Sequence, residues 1–374
     1  MGELSYFLGI EVTNTTTGGL VLSQTKYIND LLTRVKMDGC KPSPTPMTSN
    51  LKLTSGDGNL FEDAGLYPSI VGSLQYVTIT RPELAFSVHK VCQFMQSPRE
   101  SHWKTVKRIL RYLQGTTSLG LHLQRCSDLS LTGYTDLDWA SDIEDRKSTA
   151  DYCVYMGRNL VSWSSKKQHC VSRSSTEAEY RGIATVVAEL LWLTKLMCEI
   201  HITGPTPKVY CDNSGAVLLS TNPVWHSRSK HFEVDLAFVR DHVATGRIAV
   251  KHIPGDVQIA YIMTKAVSST KFLDFRSKLR IEDVQCLRLR GDESIKTIVI
   301  ALEVRTTIVL IKASLRKAIE DENHVYQSGM GVTVDKKWCG LVMVDKIQKD
   351  KGWTMKNDIV GAIIDDEAWR MKIF

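Results

Sequence analysis

Three carboxylates stand where a metal-dependent site could assemble: Asp136 in GYTDLDWA, Glu179 in SSTEAEYRGIA and Asp212 in VYCDNSGA. The first closes a strand-like run, the second opens a long helical pattern and the third follows another short strand. A strand end, a helix start and a second strand end can bring acidic oxygens to one point. Hard divalent cations take oxygen ligands, and such ions activate water and steady the leaving oxygen when a phosphodiester is hydrolysed. Two neighbours are rivals. Asp138 lies two residues along the same strand and so shares a face with Asp136. Glu177 competes with Glu179, but the apolar rhythm Ile183, Val186, Leu190 and Leu193 puts Glu179 nearer the buried side.

These residues need a frame. Strand-like runs cover 129–137, 152–156 and 160–164, the last two turned by Gly157, Arg158 and Asn159. A helix is predicted over 176–200, with Ser174 and Thr176 each three residues before a glutamate, as in a capping box. A strand at 208–211, helices at 213–220 and 232–244, a strand at 247–253 and a short helix at 257–264 follow. Three antiparallel strands, a helix, a strand, helices, a strand and a helix form an α/β pattern. It matches the mixed five-stranded sheet of the ribonuclease H fold with flanking helices.

The stretch before it, 1–124, reads as two strands (6–12 and 20–23), a helix (24–36), a loop rich in Pro, Ser, Thr and Gly (41–57) and helices at 67–77, 82–95 and 100–113. The last of these sets Lys104, Lys107, Arg108 and Arg111 in one stripe, a solvated face that could track phosphates. Residues 282–374 carry apolar runs and a charged helical segment but no motif, and read as a small appended domain or read-through sequence.

Composition bounds the rest. The 374 residues suffice for two or three domains. A net charge of +6 leans mildly toward polyanions. Nine scattered cysteines without a CxxC pair argue against a disulfide frame or a zinc site. The start lacks a basic signal-peptide region, and the best apolar run, 297–310, is broken by Glu303 and Arg305. An intracellular protein, cytoplasmic or nuclear and neither secreted nor membrane-spanning, is expected.

The stretches YFLGIEV, LSQTKYINDLL, YPSIVGSLQYVTITRPELAFSV, HWKTVKRILRYLQGT, GYTDLDWA, NLVSWSSKKQHCVSRSSTEAEYRGIA and VYCDNSGAVLLSTNPVWHSRSKHFEVD stand in order over about residues 4–281. In these the chain resembles the C-terminal part of the Pol polyprotein of Ty1/copia-type LTR retrotransposons. The resemblance implies a truncated thumb or connection region of a reverse transcriptase (1–124), an RNase H-like domain (125–281) and an uncovered tail (282–374). The polymerase Tyr-x-Asp-Asp turn would lie upstream of YFLGIEV. The one Asp-Asp pair, Asp365-Asp366, falls in the tail, so no reverse transcriptase activity is expected.

By the same resemblance Asp136, Glu179 and Asp212 are catalytic and ligate Mg2+ or Mn2+. Two ions are expected in the intact family and a single ion here, acting on RNA in RNA/DNA hybrids with no small-molecule cofactor. Arg146, Lys147, Lys166, Lys167 and Arg173 would meet phosphates. Ser174 and Ser175 would touch 2′-hydroxyls. His226, His231, Trp139, Trp163 and Trp192 read as structural. The family's last motif, of the type DQLADIFTK, carries a fourth Asp. Here it reads DVQIAYIMTK, with Tyr261 in that place and Asp256 five residues too early. A phenol with a pKa of about 10 is a poor Mg2+ ligand. Asp151 and Ser141 also replace glycines of the family pattern. Two readings follow: an RNase H-type endonuclease, or a catalytically inactive nucleic-acid-binding relic of a Pol polyprotein.

Overall fold

In a computed structural model the described residues are 5–287, apart from 17, 50, 57, 64 and 223–231. The expectations for 288–374, and those for His226 and His231, lie outside them. The first half holds β1 (Tyr6–Phe7), β2 (Ile10–Asn14), β3 (Leu20–Ser23), α1 (Thr25–Arg34), α2 (Leu66–Val77), α3 (Ala85–Cys92), α4 (Glu100–Gln114) and β4 (Leu119–Leu123). The second holds β5 (Leu131–Asp138), β6 (Thr149–Met156), β7 (Asn159–Lys167), α5 (Ser175–Glu199), β8 (Lys208–Cys211), α6 (Ser214–Thr221), α7 (Glu233–Ala244), β9 (Ala249–His252), α8 (Tyr261–Thr264), α9 (Ser269–Lys278), β10 (Ile281–Asp283) and α10 (Val284–Leu287).

The second sheet has the order β7-β6-β5-β8-β9. Its first three strands pair antiparallel, whereas β8 joins β5 and β9 joins β8 in parallel. This is the strand order of the ribonuclease H fold, and the sequence periodicity explains its two faces. On β6, Tyr152, Val154 and Met156 point into one core with Ile183, Val186, Val187 and Leu190 of α5, while Cys153 and Tyr155 between them enter the other. Gly133 is required beneath α5, because a Cβ there would lie 2.4 Å from Val186 Cγ1.

The opposite face is covered by the first half. Cys153, Tyr155, Leu160 and Trp163 share a core with Ile79, Leu84 and Val88. Trp163 Nε1 donates to the Thr78 carbonyl at 3.1 Å, and the Lys167 amide donates to His89 Nε2 at 3.0 Å. Asn159 bonds both the amide and the carbonyl of Gln124, at 2.7 and 2.8 Å.

The first sheet, β1-β2-β3-β4-β10, differs from expectation in gaining β4 and β10. Residues 281–283 pair antiparallel with β4. The chain therefore returns to the first sheet after completing the second, and 282–287 continue that return. The sequence reading held no strand at 119–123 and no helix at 269–278. The predicted helix over 257–264 shortens to its last turn. Pro68 falls in the first turn of α2, where a missing amide leaves no intrahelical bond unmade.

Candidate metal centre

Asp136 closes β5. Along that strand Gly133 and Thr135 face α5, since Cβ atoms on Gly133 and Gly182 would meet Val186 and Thr135 Oγ1. Alternation sends Tyr134 and Asp136 to the other side, where α8 waits. Thr264 Oγ1 donates to Asp136 Oδ2 at 2.5 Å, and Lys265 Nζ stands 3.9 Å from the same oxygen. The segment leading to α8 is pinned by the fully buried Gln258, whose Nε2 donates to the Thr135 carbonyl at 2.7 Å.

Glu179 lies in the second turn of α5, and the helix start separates it from its rival. Ser174 is the N-cap, with its Oγ accepting from the Glu177 amide at 3.1 Å, while Glu177 Oε2 accepts from the Arg173 amide at 2.9 Å. Glu177 also accepts from Arg181 at 3.1 Å. Its oxygens serve the cap and an ion pair. Glu179 instead turns to β8, where Cys211 Sγ donates to its Oε2 at 3.7 Å. Asp212 follows β8, and its carbonyl lies 3.1 Å from His252 Nε2 on β9.

The ligand atoms of Glu179, Cys211 and Asp212 all lie within 4.8 Å of one another. Asp136 stands outside that trio, held by Thr264 and Lys265, yet close enough to act on it. Burial, then the charges of Asp136 and Asp212, push Glu179 up to about 9. Burial likewise raises Asp136, against the pull of Lys265 and Thr264. Burial and the Glu179 carboxylate push the Cys211 thiol up. Crowded acids whose negative charges oppose one another suit a divalent cation, and hard oxygens from Asp136, Glu179 and Asp212 fit Mg2+ or Mn2+. The place of a fourth carboxylate does not. Tyr261 presents a ring there, with its face toward Lys265 Nζ at 4.0 Å from the centroid.

Asp138 ends β5 opposite Thr149, half-buried. Asp151 pairs across from Asp136 and is fully buried. Its Oδ1 accepts from the Lys166 amide at 3.2 Å, and its Oδ2 has no hydrogen-bond partner among the described residues. Burial raises its proton affinity well above the carboxylate range.

The basic residues divide. Lys167 Nζ is held at 2.7 Å by Asp142 and 2.9 Å by Asp145, and Lys147 lies 3.7 Å from Asp145. These pairs fold the β5–β6 loop onto β7. Arg146, Lys166, Arg173 and Ser175 are exposed at the rim. So is Trp139, half exposed, whose Nε1 donates to the Ser172 carbonyl at 3.1 Å. Sequence reasoning missed Thr264 and Lys265. The available signal was their match to the closing Thr-Lys of the DQLADIFTK pattern, three and four residues after Tyr261.

No protein-family model matches the chain. The Pol polyprotein of transposon RE1 from Arabidopsis thaliana is 47% identical over 284 residues, 75% of this chain and 19% of that protein. Plant transposon Pol polyproteins as a group match at 38–47% identity over about three quarters of the chain. The chain belongs to the Pol polyproteins of Ty1/copia-type retrotransposons. This Pol chain spans about a fifth of the length of those relatives. An uncharacterized mitochondrial protein of Arabidopsis thaliana, 44% identical over 193 residues, is covered over 79% of its length. Among solved structures, an N-terminal RNase H domain from Mycobacterium tuberculosis aligns with a TM-score of 0.29 at 12% identity, over 39% of the Pol chain and 97% of that chain. The strand order, rather than that likeness, identifies the fold. Among the described residues no helix is long and apolar enough to cross a membrane.

Proposed function

We propose that this Pol chain carries a ribonuclease H-type site that binds RNA/DNA hybrids and hydrolyses their RNA strand, using a divalent ion held by Asp136, Glu179 and Asp212. The observation that carries the reading is the meeting of Glu179 and Asp212 beside Asp136, at the strand ends of a sheet with the ribonuclease H order. A bound Mg2+ or Mn2+ would supply an activated water and stabilise the departing oxygen.

The chain's own residues supply the rest. Arg146 and Arg173, on loops next to the strand and helix that carry the carboxylates, and Lys166, near the end of β7, are exposed, so they would meet backbone phosphates, which give affinity without reading sequence. Lys147 and Lys167, tied to acids, shape the loop that presents Arg146. Ser175 is the better placed contact to a 2′-hydroxyl, since the Ser174 hydroxyl accepts from the helix amide. Residues 1–124 are read as the C-terminal remnant of a reverse transcriptase domain that buttresses the sheet. A nuclear or cytoplasmic location accords with the substrate.

Tyr261 and Lys265 favour a second reading, a nucleic-acid-binding relic that no longer cleaves. Cleavage of a labelled RNA/DNA hybrid with Mg2+ or Mn2+, beside Asp136→Asn and Tyr261→Asp variants, separates the two. Cleavage by the natural chain that is lost in Asp136→Asn supports the enzyme. Cleavage by Tyr261→Asp alone supports the relic. No cleavage and no hybrid binding by any folded variant overturns both.

A further inference from the structure

We infer that Glu179, Cys211 and Asp212 form a binding site for a thiophilic divalent cation of the Zn2+ class, and that an ion held there silences the proposed Mg2+ or Mn2+ centre by taking two of its ligands. The silencing rests on that proposed centre. The choice of ion rests on the thiol that stands beside the two acids.

The three residues meet at one junction. Cys211 ends β8 and Asp212 follows it, while Glu179 reaches them from α5. One oxygen from each carboxylate and the Cys211 sulfur all lie within 4.8 Å of one another. Cys211 Sγ and Glu179 Oε2 are 3.7 Å apart. Sulfur and oxygen ligands of a tetrahedral zinc ion, at their usual bond lengths, stand about 3.6 Å apart. This pair therefore already has the spacing of two zinc ligands.

Each donor is poised for such an ion. Glu179 is 6% exposed, and among the described residues the thiol is the one hydrogen-bond partner of its side chain. A buried carboxylate is thus aimed at the sulfur with little else to satisfy it. The sulfur in turn accepts the Asn213 amide at 3.4 Å, an outer hydrogen bond of the kind that orients and tunes a metal ligand. Glycine at 255 keeps a side chain off the third donor, since a Cβ there would stand 3.2 Å from Asp212 Oδ2. Asp136 lies outside this set. Cys211 pairs with Thr135, whose hydroxyl faces Gly182 of α5, and Asp136, the next residue, points to the other face of the sheet.

A thiol among the ligands sorts the ions. Zinc takes cysteine sulfur and carboxylate oxygen together, and accepts three protein ligands with water in the fourth position. Mg2+ asks for an octahedron of oxygens and gains nothing from Cys211. As a thiophilic ion binds, the thiol proton and the Glu179 carboxyl proton leave to solvent. No CxxC spacing announces the site, because its ligands come from α5 and from the end of β8 and meet only in the fold.

The test uses Co2+ as a visible stand-in for Zn2+, because a thiolate bound to Co2+ absorbs in the near ultraviolet by sulfur-to-metal charge transfer and oxygen ligands do not. The full chain, reduced and stripped of metal, is titrated with Co2+ and then with Zn2+. Mn2+ binding is followed in parallel by the electron paramagnetic resonance of free Mn2+, and circular dichroism confirms the fold of each variant. The natural chain should develop the band and lose it when Zn2+ displaces Co2+, and bound Zn2+ should abolish Mn2+ binding. Cys211→Ser should lose the band and keep Mn2+, whereas Asp136→Asn should keep the band and lose Mn2+. A natural chain that binds Mn2+ yet shows no band overturns the inference and leaves the proposed centre standing. A band that survives Cys211→Ser, or Mn2+ binding that persists beside bound Zn2+, overturns it too. If Asp136→Asn keeps both the band and Mn2+ binding, the proposed centre fails and the three thiophilic ligands stand.

Discussion

Replacing Glu179 by glutamine should stabilise the metal-free protein, although it removes a proposed ligand. Glu179 is 6% exposed and its proton affinity is raised to about 9 from an ordinary 4.5, first by burial and then by Asp136 and Asp212. The folded chain therefore keeps a proton that the unfolded chain releases. The stability this provides is fully present below about 4.5 and is lost as pH rises toward 9. At pH 7 the unfolded carboxyl is ionised well above its midpoint, and at about 1.4 kcal/mol per pH unit the natural chain is about 3 kcal/mol less stable than at low pH. Glutamine cannot ionise and escapes that loss. Urea unfolding in chelator should show Glu179→Gln more stable by about 3 kcal/mol at pH 7, with the gap closing near pH 4.5. Saturating Mn2+ should reverse the order, because it binds only a folded chain that keeps the carboxylate. Equal stability of the two proteins at pH 7 in chelator, or a gap that widens as pH falls, would refute the argument.

Three further outcomes follow from particular contacts. Mn2+ affinity should rise as pH approaches 9, by at most about tenfold per pH unit, because binding displaces the Glu179 proton; Kd at pH 6, 7 and 8 measures it. Trp163→Ala removes a 6%-exposed indole and its bond to the Thr78 carbonyl, and should cost about 3–5 kcal/mol in urea unfolding. Ser174→Ala takes away the cap of α5 and should cost about 1 kcal/mol by the same assay.

Local pattern carried much of the fold. Period-2 runs and the long apolar stripe of α5 mark the second sheet and its helix, and turn residues such as Gly157 mark the β6–β7 hairpin. The carboxylates were legible because each stands at an element junction. What escaped was non-local. Leu121 pairs with Ile281 across the whole second sheet, and no periodicity in LGLHL reveals such a partner. Lys265 and Asp136 are brought together only by the fold, and no spacing in the sequence links them. Apolar rhythm favoured Glu179 over Glu177 as the more buried; both are buried, and cap geometry rather than burial separates them. Trp139 read as structural; its indole is half exposed and its Nε1 donates to the Ser172 carbonyl.

The central claim, that Asp136, Glu179 and Asp212 form a divalent-metal centre, is tested most directly by crystals of the full chain soaked in Mn2+ and measured at the manganese absorption edge. An anomalous peak is expected within coordination distance of Glu179 and Asp212 on the side facing Asp136, absent from the Asp136→Asn chain. No peak among the three carboxylates at saturating Mn2+, or a peak unaffected by Asp136→Asn, would contradict it.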